Sequence, residues 1–328
     1  MSKNNSLKLM KNNKNTKIVI LIPCLNEEIT IGKVIQDFKT TIPEAEIIVF
    51  DNNSTDRTGA IALECGAKVI KELRPGKGNV VSSMFRKVEA DYFVLVDGDD
   101  TYSAEHVWDL LKPVMKNCAD MTVGVRLEQY TKKSFRLFHI FGNNLVRRLV
   151  NWIFNNKLTD IMSGYRAFNK DLVQSIPILS SGFEVETEMT IRVLDYGLRI
   201  EEIPLPYRER PEGSESKLRT VQDGLRVLSE IIRIAKAYKP LTFFGLIGLI
   251  FIIVGLVFGI WVILDYLEDE YVNKIPTAIL STGLMLLGFG SIGIGILLNT
   301  ISYRFRENMR LLNKIIRKNL VKNFFKNL

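Results

Sequence analysis

Cysteine is scarce in this 328-residue sequence, and the three that occur, Cys24, Cys65 and Cys118, lack the spacing of a metal site. Their odd number, in a chain whose main domain is expected to be cytoplasmic, favours reduced, structural thiols over disulfides. The first 17 residues are rich in Lys and Asn and contain no apolar segment typical of a secretory signal. We therefore expect residues 1–16 to form a disordered polar tail and the following domain to stay in the cytoplasm.

Basic charge is concentrated in one segment, although the whole sequence has a formal charge of +8. From residue 304 onward eight Lys or Arg residues accompany a single acidic residue, Glu307, which gives a charge of +7. Residues 265–275 hold four acidic residues and one lysine, a charge of −3. Without these segments and the five lysines up to Lys17, the remainder has a charge of −1. A domain without net positive charge binds nucleic acid poorly, so we expect no nucleic-acid partner.

Two long runs, residues 241–264 and 276–303, contain no charged residue over 24 and 28 positions. With a rise of about 1.5 Å per residue, a helix of the first length reaches roughly 36 Å, enough to cross a hydrocarbon core. Buried core helices are the alternative, but these are rarely free of charge on every side. The runs predict a transmembrane hairpin of a multi-pass cell (plasma) membrane protein. By the positive-inside rule, both ends are cytoplasmic and the acidic loop 265–275 is extracytoplasmic.

Amphipathic segments flank this hairpin on both sides. Residues 219–240 and 304–328 carry apolar side chains at helical spacing, which predicts helices that lie on the membrane surface. Packing of these helices against the N-terminal domain is the alternative. Glycines in the second run permit close helix packing and hence a homo-oligomer through the transmembrane helices. These glycines are Gly283, Gly288, Gly290, Gly293 and Gly295.

Short apolar runs alternate with helical patterns over residues 17–125, which predicts an α/β fold with a largely parallel sheet covered by helices on both faces. Ligands bind such sheets at the carboxyl ends of the strands. Polar residues follow three of the predicted strands, at 26–27, 51–56 and 97–100. We expect these three clusters to line one site.

The cluster after the fourth predicted strand contains Asp97, Gly98 and Asp99. Two carboxylates at a strand end can ligate a hard divalent cation, Mg²⁺ or Mn²⁺, that bridges the diphosphate of a nucleotide. Such a cation offsets negative charge as the diphosphate leaves. Taken alone, the motif is weak, because a solvated acidic turn explains it more readily than a metal site.

Two further loops carry candidate nucleotide ligands. Asp51 begins a D-N-N-S-T-D run and could accept hydrogen bonds from a base or ribose, although Ser54 or Thr55 could also simply cap the next helix. Lys77 stands between two glycines ahead of a predicted helix, where it could meet a base or a phosphate. The third glycine of a dinucleotide fingerprint is missing there, which excludes a dehydrogenase.

Five motifs occur in a fixed order: P-C-L-N-E-E from Pro23, F-D-N-N-S-T-D, G-K-G, V-D-G-D-D and S-G-Y-R-A-F. In this order the chain resembles the inverting family-2 glycosyltransferases, specifically the dolichyl-phosphate mannose synthase and polyprenyl-phosphate glycosyltransferase group. The resemblance implies a GT-A catalytic domain over residues 17–218. It also implies metal-dependent transfer of a hexose or N-acetylhexosamine from a UDP- or GDP-linked nucleotide sugar to a dolichyl or undecaprenyl phosphate at the lipid bilayer.

The same resemblance implies roles for individual residues. Nucleotide-sugar binding is expected from Pro23, Asn26, Glu27, Asp51, Asn53, Lys77, Asp97 and Gly98. The metal is expected at Asp97 and Asp99, and the sugar at Ser163, Gly164, Glu186 and Glu188. The acceptor phosphate is expected at Arg126, Arg208, Arg210, Ser216 and Lys217. Catalytic roles fall to Asp99, Arg126, Asp160 and Arg210, with Asp160 orienting the sugar or the attacking phosphate.

Alternatives stay open at several of these positions. The arginines could form surface ion pairs, and the two glutamates could belong to an exposed helix face. The chain also departs from the group: Arg136 is followed four residues later by Ile140 rather than Ser, and D-N-N-S replaces the commoner D-D-G-S. These departures leave the acceptor contacts and the nucleotide base undecided.

Two other functions are compatible with parts of the sequence. A processive polysaccharide synthase would carry a Gln-x-x-Arg-Trp motif and more membrane spans, and none of the three tryptophans stands in such a motif. A non-catalytic membrane adaptor on a transferase fold would have no need of Asp97, Asp99 and Arg210. Both alternatives therefore rank below polyprenyl-phosphate glycosyl transfer.

Overall fold

The computed structural model describes residues 16–126, 137–182, 184–206, 232–271 and 273–326. The chain divides into two compact units, Met1–Arg219 and Thr220–Leu328. The predicted polar tail falls almost wholly on residues 1–15, and most of the first predicted amphipathic helix falls on residues 207–231. Both predictions therefore concern residues outside the described ranges.

The N-terminal unit alternates strands and helices, as predicted. Its strands are β1 (Ile18–Cys24), β2 (Glu46–Asp51), β3 (Lys68–Lys71), β4 (Tyr92–Leu95), β5 (Met121–Arg126), β6 (Arg166–Asn169) and β7 (Ile200–Leu205). Its helices are α1 (Ile31–Thr41), α2 (Thr58–Glu64), α3 (Lys77–Lys87), α4 (Val107–Met115), α5 (Leu137–Phe154), α6 (Lys170–Ser175) and α7 (Val185–Asp195). A short 3₁₀ helix, Ala104–His106, precedes α4.

In the described part of this unit the strands form one mixed sheet in the order β3-β2-β1-β4-β6-β5-β7. The pairs β1–β2, β1–β4, β2–β3 and β5–β7 are parallel, whereas β6 runs antiparallel to both β4 and β5. The sequence did not predict β6 as a strand. Its four residues, R-A-F-N, include a buried arginine and are too few to show an alternating pattern.

Apolar layers cover both faces of the sheet. Ile18, Ile20 and Ile22 of β1 belong to the layer that contains α1 and α4, whereas Val19 and Leu21 belong to the layer of α3 and α7. Successive strand residues point to opposite faces, so a strand covered on both sides is apolar at every position. This explains why β1 reads as the uninterrupted run I-V-I-L-I.

The second unit contains two long apolar helices, α8 (Pro240–Asp269) and α9 (Ile275–Lys326). Their candidate membrane spans, Pro240–Glu268 and Ile275–Asn308, have mean hydropathies of 3.0 and 2.0, and only 11% of each span's most apolar window is buried. Both helices are therefore long and apolar enough to cross a membrane. The low burial argues against the alternative of two soluble core helices.

The connection between α8 and α9 is shorter than the predicted loop 265–275, because α8 continues to Asp269. Lys274 stabilises this tight turn: its Nζ lies 2.6 Å from Asp265 Oδ1 and 4.3 Å from the centre of the Trp261 ring. Helix α9 also continues past the apolar run, so residues 304–326 extend the second span as one helix. A straight helix of its 52 residues is roughly 78 Å long.

Small residues bring α8 and α9 together. A Cβ atom at Gly288 would lie 2.8 Å from the Gly248 carbonyl oxygen, and Ser281 Oγ donates to the Gly255 carbonyl oxygen at 2.8 Å. Gly295 likewise packs against the start of α8. Two of the five glycines predicted to support an oligomer thus serve the hairpin itself, while nothing in the described residues lies within 4 Å of a Cβ at Gly283, Gly290 or Gly293. The homo-oligomer remains a prediction.

Candidate active site

The polar clusters predicted to share a site follow adjacent strands. β2, β1 and β4 are neighbours and parallel, so their carboxyl ends lie at one edge of the sheet. Cys24 at the end of β1 is paired with Asp51 at the end of β2, and the Asn52 amide donates to the Cys24 carbonyl oxygen at 2.8 Å. Pro23 is the residue before Cys24 and pairs with Phe50. The sheet thus brings the first two clusters together.

Hydrogen bonds interlock the loops after β1 and β2. The Asn26 amide donates to Ser54 Oγ at 3.0 Å, and the Thr55 amide donates to Asn26 Oδ1 at 2.8 Å. The Glu27 amide donates to Thr58 Oγ1 at 2.8 Å. Ser54 and Thr55 therefore hold the neighbouring loop instead of capping α2.

Aspartates organise the turn that follows β2. Asp51 is buried, and its Oδ1 accepts from the Ser54 amide at 3.0 Å, as expected of a turn residue. At the start of α2 the amide of Thr58 donates to Asp56 Oδ1 at 3.0 Å. Asp56, and not Ser54 or Thr55, thus accepts from the first amide of α2, whose N-cap residue is Arg57.

Asn52 connects this turn to the segment that leads into α3. Its buried Nδ2 donates to the carbonyl oxygens of Glu72 and Arg74 at 2.9 and 2.8 Å, and its Oδ1 accepts from the Gly76 amide at 2.8 Å. Asn53, the predicted nucleotide ligand, donates its Nδ2 to the Leu73 carbonyl oxygen. Sequence reasoning missed Asn52, because nothing in D-N-N-S shows which asparagine is buried.

The glycines on either side of Lys77 permit a close backbone contact. A Cβ atom at Gly76 would overlap the Ser181 carbonyl oxygen, and one at Gly78 would overlap that of Ser180. The Gly78 amide also donates to the Ser181 carbonyl oxygen at 3.1 Å. Gly76 has φ 110°, a conformation that favours glycine. The G-K-G motif thus fits the backbone before α7 and fixes the start of α3.

Lys77 lies between two carboxylates at the centre of the site. Its Nζ is 2.5 Å from Asp97 Oδ1 and 2.5 Å from Glu186 Oε1. The three side chains are only 12%, 25% and 6% exposed, so water screens these charges little. Burial alone would lower the pKa of Lys77, but Asp97 and Glu186 raise it well above its usual value. The lysine therefore stays charged, and Glu186, predicted to bind sugar, is its ion-pair partner.

The D-G-D turn packs against β1 and α1. A Cβ atom at Gly98 would lie 2.7 Å from Cys24 Sγ, and the Gly98 carbonyl oxygen accepts from Thr30 Oγ1 at 2.6 Å. Asp99 is buried, and its Oδ1 accepts from the amide and the hydroxyl of Thr101 at 3.2 and 2.6 Å. These contacts hold the turn, and with it the Asp99 carboxylate, in place.

The chemistry of the turn fits a divalent metal ion. Asp97 and Asp99 supply the hard oxygen donors that Mg²⁺ and Mn²⁺ prefer. No group of three or more His, Cys, Asp or Glu side chains that could hold a metal occurs within the described ranges. An ion bound by these two aspartates would therefore take further ligands from a bound phosphate or from water.

The loop before β6 closes over Asp97. A Cβ atom at Gly164 would overlap Asp97 Oδ2, so only glycine fits here beside the carboxylate. The buried Ser163 Oγ lies 3.2 Å from the Tyr102 hydroxyl, which also accepts from the Gly164 amide at 3.2 Å. The S-G motif thus meets the D-G-D turn directly.

Arg126 and Asp160 form a bidentate ion pair at the end of β5. Arg126 donates from Nε to Asp160 Oδ2 at 2.7 Å and from Nη2 to Oδ1 at 3.0 Å. Burial raises the pKa of Asp160, but hydrogen bonds from Arg126 outweigh it, so the pKa lies below its usual value. Glu202 of β7 accepts from the amides of Thr159 and Asp160 and holds this loop. Two residues predicted to act separately are thus direct partners.

A buried arginine that sequence reasoning missed supports the same loop. Arg166 is fully buried, and it donates from Nε to the Ser163 carbonyl oxygen at 2.8 Å and from Nη2 to that of Ile161 at 2.8 Å. Its Nη1 donates to Thr190 Oγ1 at 3.0 Å. Burial lowers its pKa, which the nearby charges of Glu186 and Asp160 oppose. The only sequence signal was an arginine inside the apolar run Y-R-A-F.

A separate set of hydrogen bonds surrounds the second glutamate predicted to bind sugar. Glu188, predicted to bind sugar, is buried and accepts from the Leu179 and Ser180 amides and the Ser180 hydroxyl, with Arg192 also in contact. Its carboxylate thereby holds the segment that packs on Gly78. The predicted acceptor residues Arg208, Arg210, Ser216 and Lys217 fall outside the described ranges.

A mixed α/β sheet with a D-G-D turn after its central strand defines a glycosyltransferase of the GT-A class, and comparison with known proteins agrees. Residues 19–176 match the model of glycosyl transferase family 2. The chain is similar to glycosyltransferase AglJ of Haloferax volcanii, with 30% identity over 299 residues that cover 91% of this chain and 98% of AglJ. The chain therefore belongs to glycosyl transferase family 2.

Two further similarities bear on fold and chemistry. A dolichyl-phosphate hexose transferase of Haloferax volcanii is 29% identical over 218 residues, which cover 66% of this chain and 93% of that protein. The structure of glucosyl-3-phosphoglycerate synthase from Mycobacterium tuberculosis with Mn²⁺, UDP and glucosyl-3-phosphoglycerate superposes with a TM-score of 0.58. At 22% identity, covering 71% of this chain and 83% of that one, it shows the fold alone. The predicted GT-A fold is confirmed.

Proposed function

We propose that this protein transfers a hexose or N-acetylhexosamine from a UDP- or GDP-linked donor to a polyprenyl phosphate. The observation that carries the proposal is the loop at residues 160–164. One end of this loop holds Asp160 against Arg126, and the other end lies against Asp97. This five-residue loop therefore contacts both Arg126, the candidate ligand of the acceptor phosphate, and Asp97, the candidate metal ligand.

The donor side of the site is formed by the ends of β1, β2 and β4. Asp51 and the interlocked loops at Asn26 and Glu27 would bind the nucleoside, and Lys77 with Asp97 would face the diphosphate. A divalent ion, Mg²⁺ or Mn²⁺, held by Asp97 and Asp99, would offset negative charge on the departing diphosphate. A relative bound to Mn²⁺ and UDP on the same fold supports this assignment.

The acceptor side needs to position an anion rather than remove a proton. A phosphate monoester has a second pKa of about 6, so its oxygen is already anionic and nucleophilic at neutral pH. This oxygen forms a bond to the anomeric carbon while the bond from that carbon to the diphosphate oxygen breaks, which inverts the configuration. Arg126, one quarter exposed, and Arg210 would orient the phosphate, and Asp160 would fix the guanidinium of Arg126.

The membrane hairpin supports a lipid acceptor. With both ends of the hairpin in the cytoplasm, the catalytic domain works on the cytoplasmic face, where a nucleotide sugar is available. The basic segment from residue 304 matches the anionic surface of that leaflet. Similarity to a dolichyl-phosphate hexose transferase points to the same class of acceptor.

The test is a transfer assay with the full-length protein in detergent. UDP-linked and GDP-linked sugars are each tested as donors with Mg²⁺ or Mn²⁺. The acceptor is either a short polyprenyl phosphate or phosphoglyceric acid. Sugar is then measured in the lipid extract and in the aqueous phase. We expect sugar in the lipid fraction only with the polyprenyl phosphate. Polymeric product would favour a polysaccharide synthase. Transfer to phosphoglyceric acid would favour a soluble acceptor, and no turnover with any donor would favour a non-catalytic adaptor.

Two variants assign the two halves of the site. Asp99→Ala should abolish transfer while the protein still folds. Asp109 is exposed, so the control variant Asp109→Ala should behave as wild type. Wild-type turnover in Asp99→Ala would refute the assignment of the metal to Asp99. Arg210→Ala should raise the KM for the lipid far more than the KM for the donor. An effect confined to the donor would refute its role at the acceptor.

A further inference from the structure

Lys77 places a fixed cation on one of the two carboxylates assigned to the metal. Its ammonium group is 2.5 Å from Asp97 Oδ1 and 2.5 Å from Glu186 Oε1. All three side chains are largely buried, and Gly164 covers the other oxygen of Asp97. In such a low-dielectric setting, charge–charge interactions are much stronger than in water.

Backbone contacts and two ion pairs hold Lys77 beside Asp97. The lysine is the first residue of α3, and the preceding Gly76 is held by Asn52 and by the backbone of Ser181. Glu186 comes from α7 and forms a second ion pair with the same ammonium group. A divalent ion that approaches Asp97 therefore meets a positive charge that the fold keeps in place.

We infer that Lys77 makes metal binding at Asp97 and Asp99 depend on the nucleotide diphosphate. This inference rests on the proposed function, which assigns the metal to these aspartates. A free cation is repelled by Lys77, whereas a diphosphate brings negative charge that offsets both cations and supplies further oxygen ligands. The ion and the nucleotide therefore bind together, and Glu186 acts as a positioning residue that keeps Lys77 on Asp97.

The experiment measures Mn²⁺ binding to the full-length protein in detergent by electron paramagnetic resonance, with and without UDP or GDP. Wild type should bind Mn²⁺ weakly alone and much more tightly with a nucleotide. Lys77→Met should bind Mn²⁺ alone at least ~10-fold more tightly, because a repelling charge is removed. Lys77→Arg keeps the charge and should retain the dependence on nucleotide. Lys87→Met, which removes a surface lysine, is the matched control and should equal wild type.

A further pair of variants guards against misfolding, because Lys77→Met leaves two buried carboxylates without their cation. The double variant K77M/E186Q removes the lysine and one of its two carboxylate partners together. The difference in Mn²⁺ affinity between this variant and E186Q measures the effect of the lysine charge alone. The double variant should bind Mn²⁺ alone more tightly than E186Q. Thermal unfolding midpoints confirm that each protein is folded.

Failure of the inference and failure of the proposed function give different results. If Mn²⁺ binds wild type with a nucleotide, and Asp99→Asn abolishes that binding, the metal assignment stands. In that case, unchanged Mn²⁺ affinity in both Lys77→Met and the double variant would overturn the role of Lys77. If Mn²⁺ binds wild type with neither nucleotide, the proposed metal site itself is wrong, and the inference falls with it.

Discussion

Replacement of Arg166 by Met should destabilise the N-terminal unit more than any change of a surface arginine. The guanidinium is fully buried and donates to the carbonyl oxygens of Ser163 and Ile161 and to the Thr190 hydroxyl. Each buried acceptor left without its donor costs about 1–3 kcal/mol of stability. Part of this cost is offset because the variant no longer buries a charged group. We expect a net loss of about 3–5 kcal/mol in the free energy of unfolding.

The assay is thermal unfolding of the full-length protein in detergent, followed by near-ultraviolet circular dichroism. For a unit of this size, 1 kcal/mol lowers the Tm by about 2–4 °C, so Arg166→Met should unfold roughly 6–20 °C below wild type. Arg57→Met is the matched control, because Arg57 is 70% exposed and pairs only with the equally exposed Glu64 in the described structure. Its Tm should move by about 1–2 °C at most.

A difference of less than about 1 kcal/mol between Arg166→Met and wild type would refute this reasoning. It would mean that the carbonyl groups of residues 161 and 163 find other donors. Arg166→Lys provides a further check, because lysine keeps the charge but cannot donate in three directions from a planar group. The stability of Arg166→Lys should lie between those of wild type and Arg166→Met.

Three further changes test other contacts. Arg74 holds the pKa of Glu72 at about 2, below its ordinary 4.5. The charged carboxylate therefore stabilises the fold above pH 4.5, and this stabilisation is lost as the pH falls toward 2. Over this window the free energy of unfolding of wild type should fall by up to about 3 kcal/mol more than that of Glu72→Gln. Gly164→Ala should displace Asp97 and abolish metal-dependent nucleotide binding. Gly288→Ala should lower the stability of the hairpin, whereas Gly290→Ala should not.

Each of these changes has a direct measurement. Unfolding midpoints between pH 2 and 7 report on Glu72, and parallel curves for wild type and variant would contradict its role. Titration with UDP or GDP and Mn²⁺ reports on Gly164, where wild-type affinity would show that Asp97 tolerates a Cβ atom. Helix unfolding in detergent compares Gly288→Ala with Gly290→Ala, and equal midpoints would show that the α8–α9 contact is loose.

Patterns that repeat along the chain were sufficient to predict most of the strands and the long helices of this protein. Two charge-free runs predicted α8 and α9, because a membrane span needs continuous apolar length. Alternating apolar runs and helical patterns predicted the α/β sheet and placed Asp51 and Asp97 at the carboxyl ends of strands, which lie on either side of β1 in the structure. Hydropathy and its period are local properties of a sequence, so they can be read without knowing the fold.

The partners of the polar side chains were decided only by the tertiary structure. Lys77 meets Asp97 and Glu186 although Glu186 is more than a hundred residues further along the chain, and Arg126 meets Asp160 instead of standing alone. The glycines beside Lys77 fit a distant backbone segment, a contact that no local pattern encodes. Hydrogen bonds and ion pairs depend on distances of a few ångströms between distant segments, and only packing of the whole sheet and its helices sets those distances.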